Sequence, residues 1–105
     1  VKTILRIAAI LLIASVTPAF AQNGGADIYK AKCAMCHAAD GSGNTPTGKA
    51  MKVTSFSSPD MMKMSDADLI AATRNGKGKM PAYSGKLTDA QIKDVVAYIR
   101  TLQKK

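Results

Sequence analysis

The chain has 105 residues, 47% of them hydrophobic, and 15 Lys and Arg against 7 Asp and Glu give a formal net charge of +8. That length bounds it to one domain. The positive charge suits acidic partners or anionic surfaces, but scattered lysines and only 5% aromatic residues exclude a nucleic-acid binder.

The first stretch, "VKTILRIAAILLIASVTPAFAQ", reads as a secretory signal. Lys2 and Arg6 form a basic start, Ile7 to Val16 is an apolar run, and Ala19-Phe20-Ala21 follows Pro18 as an A-x-A cleavage pattern. Residues 1–21 are therefore expected to be removed, leaving a domain over 22–105 with net charge +6 once Lys2 and Arg6 are lost. The other reading is an uncleaved anchor, but a spanning helix wants about 20 apolar residues and this run is shorter. Export places the two cysteines in an oxidising compartment, where a disulfide is open to them. A domain this small also calls for a staple, such as a metal, a disulfide or a cofactor.

A first helix is expected from about Ala26 into the cysteine motif, because Ile28, Tyr29 and Lys32 to Cys33 recur at helical spacing behind Gly24 and Gly25. "DGSGNTPTGK" reads as an irregular loop, and "SSPDMMKM" as a place for one short helix opened by Ser58 and Pro59. The second main helix is "SDADLIAATRNG". Ser65 is its N-cap, Asp66 and Asp68 suit its positive first turn, Met64 and Leu69 flank the cap, and Asn75-Gly76 supplies a left-handed stop.

"GKGKMPAYSGK" is too glycine-rich for helix. The third main helix then opens on a capping box of Thr88 and Gln91, with Leu87 and Ile92 as its staple, and runs to about Gln103. Ile92, Val95, Val96, Ile99 and Leu102 form one apolar stripe flanked by Tyr98, while Lys93, Asp94 and Arg100 lie away from it. No segment alternates with a period of two, so the fold class is all-α, three main helices with one or two short ones.

Both cysteines and the only histidine fall in "CAMCH", residues 33 to 37. A redox dithiol of this spacing belongs beside a βαβ unit, which the chain cannot build. A structural zinc wants four Cys or His ligands, and there are three. C-x-x-C-H is the attachment signature of c-type haem: Cys33 and Cys36, three apart on a helix, lie about 5–6 Å apart and can each add to a vinyl group, while His37 reaches the iron.

A six-coordinate haem needs a second axial ligand, and without another histidine that donor is a methionine. Met35 is tethered on the wrong side, Met61, Met62 and Met64 read as core filler, and Met51 sits among lysines in a partly exposed position. Met80 stands apart. Gly76 and Gly78 free the backbone to approach a flat ligand, and Pro81 fixes its exit.

Three stretches, "GADIYKAKCAMCHAADGSG", "LIAATRNGKGKMPAY" and "LTDAQIKDVVAYIRTL", resemble the small class I c-type cytochromes of bacteria and of photosynthetic lumens, over nearly all of the mature chain. The resemblance implies the cytochrome c fold, wrapped around one covalently bound haem c and its iron. It implies that Gly25 and Tyr29 cross Val95 and Tyr98, and that the Pro46 carbonyl receives the second ring N–H of His37. Two departures stand out. Ala38 follows the histidine where glycine is common, which is expected to cost little. The lack of tryptophan leaves only Lys49, Lys52 and Arg74 as weak partners for the propionates.

With both axial positions filled by protein, the implied role is a soluble, monomeric electron carrier and not an enzyme, shuttling one electron between redox partners outside the cytoplasm. The bacterial periplasm is the first expectation and the thylakoid lumen the second. Lys77, Lys79 and Lys86, joined by Lys49 and Lys52, are expected to dock acidic redox proteins or membrane electron-transfer complexes. Two alternatives stay open: a haem-bearing subunit of a larger oxidoreductase, and a ligand-binding or sensor haem protein in which Met80 is labile.

Overall fold

The computed structural model describes residues 20–103, and side chains from residue 24 onward. The expected signal over 1–21 lies outside the described residues, except for the backbone of its last two positions. Six helices follow in order: α1 (Phe20–Lys32), α2 (Ala34–His37), α3 (Pro46–Ala50), α4 (Pro59–Lys63), α5 (Asp66–Asn75) and α6 (Asp89–Gln103). Among the described residues there are no strands, only isolated bridges at Lys77 with Met80 and Ser84 with Leu87. The all-α expectation holds.

The best-defined helix forms for local reasons. The Thr88 N–H donates to Gln91 Oε1 at 2.8 Å and the Gln91 N–H donates to Thr88 Oγ1 at 3.1 Å, closing both halves of the capping box that opens α6. The five stripe residues Ile92, Val95, Val96, Ile99 and Leu102 are all buried, each contributing about 1.5–3 kcal/mol relative to exposure. Replacing Thr88 with alanine is expected to cost about 1 kcal/mol. A lower urea midpoint at unchanged slope is the measurement that checks it.

α6 crosses α1 at its barest point. A Cβ on Gly25 would run into the Asp94 carbonyl and lie 3.3 Å from the Tyr98 Cβ, so only glycine allows this approach. One turn later Tyr29 is fully buried, its ring 5.2 Å from that of Tyr98 and 6.4 Å from that of Phe56. The expected crossing of Gly25 and Tyr29 with the terminal helix is present. The helix itself begins at Phe20, earlier than expected, because the glycines that read as a break serve instead as its contact face.

α5 keeps its expected cap, with the Asp68 N–H donating to Ser65 Oγ at 3.1 Å. Its stop is stricter than expected: Gly76 has φ 78° and ψ 166°, a region essentially closed to every residue but glycine. α4 starts at Ser58-Pro59 as read. α3 was unexpected in a stretch read as irregular loop. Thr45 caps it, accepting from the Gly48 N–H at 2.9 Å, with Pro46 in its first turn. This is the same start signal that revealed α4.

The C-terminal end of α6 fastens the segment between α3 and α5. Arg100 Nε donates to Asp66 at 2.8 Å and its NH2 donates to the Met64 carbonyl at 2.6 Å. The buried Gln103 donates through Nε2 to the Phe56 carbonyl at 3.0 Å and accepts from Arg100 at 2.9 Å. Backbone carbonyls that no helix satisfies thus find partners on α6.

Candidate functional site

The helices enclose a predominantly apolar cavity of about 340 Å³, within the range of small-ligand sites. The motif contributes Cys33, Cys36 and His37, the later loop contributes Met80 and Pro81, and α6 contributes Val95 and Ile99. Residues more than forty positions apart in sequence therefore share one wall.

Cys33 stands between α1 and α2 as the N-cap of α2 and His37 ends α2, with the His37 N–H donating to the Cys33 carbonyl at 2.9 Å. Cys33 is buried, Cys36 is half-buried, and both are free thiols rather than a disulfide. Burial, reinforced by the neighbouring Cys36, pushes the Cys33 thiol up to about 11. That is the opposite of the lowered thiol a C-x-x-C redox site requires. A zinc site fares no better, because among the described residues no three His, Cys, Asp or Glu side chains cluster as a metal cage.

His37 is half-buried, and burial lowers its pKa, which favours the neutral imidazole that a metal ligand requires. Its ring stacks on Phe56, centroids 4.6 Å apart at 17°. Its Nδ1 is buried without a hydrogen-bond partner, which costs about 1–3 kcal/mol and marks the ring as built for something beyond the chain's own bonds. The expected bond from His37 to the Pro46 carbonyl is not made. Pro46 is the first residue of α3, and a helical carbonyl points along the helix axis. Two thiols on the cavity wall, an imidazole with an unsatisfied nitrogen, a thioether and an apolar cavity are together the donor set and shape that a covalently tethered haem fits.

Met80 is half-buried in a tight turn, closed by its N–H to the Lys77 carbonyl at 3.0 Å and by the Lys77 N–H to its own carbonyl at 3.2 Å. A Cβ on Gly76 would lie 2.8 Å from the Met80 carbonyl, so this glycine lets the turn close. Met51, Met61 and Met64 also line the cavity. Met35 is 74% exposed and is not on its wall, as expected, whereas Met62 is 48% exposed and is not the core filler it resembled.

Several contributors gave no sequence signal. Thr45 Oγ1 donates to the Met35 carbonyl at 2.7 Å and lies 3.2 Å from that of Cys36, binding α3 to the motif. Tyr83 lines the cavity and donates from its hydroxyl to the Lys32 carbonyl at 3.0 Å, joining the methionine loop to α1. The aromatic in "MPAY" was the one hint. Lys32, Lys52, Lys77 and Lys79 reach the cavity lining, while Lys86 instead places its Nζ 5.8 Å from the centre of the Tyr83 ring. Arg74 is taken up by Asp89 at 3.1 Å.

Ala38 corrects an expectation. It is buried, with φ 67° and ψ 160°, in a region that is essentially glycine's and costs other residues on the order of 1–3 kcal/mol. Alanine here is not a cheap replacement.

Comparison with known proteins bears on the family of the chain. The family model described as cytochrome c oxidase, cbb3-type, subunit III matches residues 20–99. A cytochrome c6 of Synechococcus sp. is 39% identical over 105 residues, covering 93% of this chain and 90% of its own. Among solved structures, the c-type cytochrome KustC0563 superposes with a TM-score of 0.69 at 27% identity, covering 75% of this chain and 96% of its own. Cytochrome c6 from the diatom Phaeodactylum tricornutum gives 0.60 at 28% identity, covering 78% and 93%.

Proposed function

This chain belongs to the small class I c-type cytochromes, and on that footing we propose how its residues serve the family's work. It carries one covalently bound haem c and transfers electrons rather than catalysing a reaction. When bound, the haem iron supplies a one-electron ferrous/ferric couple, with a thioether ligand favouring the reduced form. Cys33 and Cys36 would form the two thioethers, His37 and Met80 would hold the iron, and Val95 and Ile99 of α6 would give it an apolar wall. The observation that carries this reading is the single cavity that gathers all four side chains.

Among the described residues no helix is long and apolar enough to cross a membrane. The protein is exported, and residues 1–21 are its signal, cleaved after Ala21. Its compartment is the bacterial periplasm, with a photosynthetic lumen as the second possibility. The turn holding Met80 is closed by two backbone hydrogen bonds, which supports a fixed ligand over a labile sensor site.

The test is spectroscopic. The purified protein is expected to hold one haem per chain that acidified solvent does not extract, and to show the weak far-red band of sulfur bound to ferric iron. Extractable haem would remove the thioether assignment, and a missing band would remove the methionine.

Redox partners of this carrier dock where Lys77 and Lys79 border the cavity, with Lys86 nearby. The partner face is acidic, and the encounter is weak and short-lived. Neutralising both residues as Lys77→Gln and Lys79→Gln is expected to slow electron transfer to an acidic partner about tenfold at low ionic strength and to flatten its salt dependence. An unchanged rate in stopped-flow measurements would make these lysines ordinary solvated surface.

A further inference from the structure

The one strained non-glycine residue next to the motif is also the one that a buried hydroxyl grips. Tyr29 is fully buried, and its Oη donates to the Ala38 carbonyl at 2.6 Å. The same carbonyl accepts from the Gly41 N–H at 3.1 Å, and the Ala38 N–H is held by the Ala34 carbonyl at 2.9 Å. Ala38 is thus pinned at both ends in a backbone region reserved for glycine. Its N–H lies in the peptide that joins it to His37, across the Ala38 Cα from the gripped carbonyl. Tyr29 meets His37 by a second route as well, since its ring packs against Phe56, whose face stacks on the imidazole.

We propose that Tyr29 is a positioning residue for His37. Its hydroxyl holds the turn after the histidine in a conformation Ala38 does not favour, and so sets the imidazole plane from the α1/α6 crossing. Without that hydroxyl, Ala38 can relax toward ordinary extended backbone. The relaxation rotates the peptide joined to His37 and turns the ring against Phe56. Glycine at position 38 adopts the same turn freely, so there the hydroxyl has little left to hold. The alanine makes the tyrosine necessary.

This inference rests on His37 as the iron ligand, and the experiment separates the two claims. Tyr29→Phe, Ala38→Gly and the double variant are prepared as haem-loaded protein. Proton NMR of the ferric form reads the strongly shifted haem methyl resonances, whose spread and order report the imidazole plane. Urea titration reads the folding equilibrium. Tyr29→Phe is expected to change the methyl pattern and to lower the folding constant roughly tenfold, the effect of one buried hydrogen bond. In the Ala38→Gly background the same change is expected to leave the pattern near that of the parent and to cost less than half as much in stability. An unchanged methyl pattern in haem-loaded Tyr29→Phe, or strictly additive effects in the double variant, would reduce the bond to ordinary core packing while the function stands. Purified chain without covalent haem would overturn the function and the positioning role together.

Discussion

Met80→Ala is expected to yield a protein that keeps its haem and loses its closed iron. The proposed thioethers, from Cys33 and Cys36, are not touched by the substitution. The turn bearing residue 80 is held by main-chain bonds between Lys77 and Met80 and by the positive φ of Gly76, neither of which uses the methionine side chain. The far-red band of the oxidised form is expected to vanish, the reduced form to bind carbon monoxide readily, and the potential to fall as the thioether is lost. Stability is expected to fall by about 1–2 kcal/mol, as suits a half-buried side chain. Met51, Met61 and Met64 share the cavity wall, so Met61→Ala and Met64→Ala are the controls. Survival of the band in Met80→Ala, with its loss in one of those, would move the ligand to that position.

How far the sequence foretold this arrangement depends on how local each cause is. The box at Thr88 and Gln91, the stripe on α6 and the cap at Ser65 are decided within one helix, and all were legible. The motif was legible because its chemistry needs a fixed spacing. α3 was missed although Thr45-Pro46 is as good a start as Ser58-Pro59, because the glycines on either side outweighed it. Gly48 is in fact required, since a Cβ there would strike the Cys36 carbonyl. Phe56 could not be read at all, and Tyr83 only as an aromatic close to Met80. Each acts through a partner far along the chain, His37 for one and the Lys32 carbonyl for the other, and neither carries a residue-type signature. Ala38 was the most misleading position: its cost is set by a φ angle, which composition does not encode.

Gly25→Val is expected to be the most damaging change outside the motif. The added Cβ would overlap the Asp94 carbonyl, which belongs to the α6 backbone and cannot rotate aside, and its branches would meet the Tyr98 Cβ. The helices would have to part, and the layer of Tyr29, Val95 and Ile99 below the crossing would lose its packing. Overpacking of this kind costs about 3 kcal/mol, the top of the usual range, because a helix must move rather than a side chain. For a domain of this size that lowers the thermal midpoint by roughly 12–24 °C. Gly24 is the internal control. A Cβ there lies 3.9 Å from the Asp94 carboxylate, an ordinary contact, so Gly24→Ala is expected to gain up to about 1 kcal/mol from helix propensity alone. Two neighbouring glycines should therefore shift the melting curve in opposite directions. Equal responses at both positions would mean that α1 and α6 do not cross at Gly25.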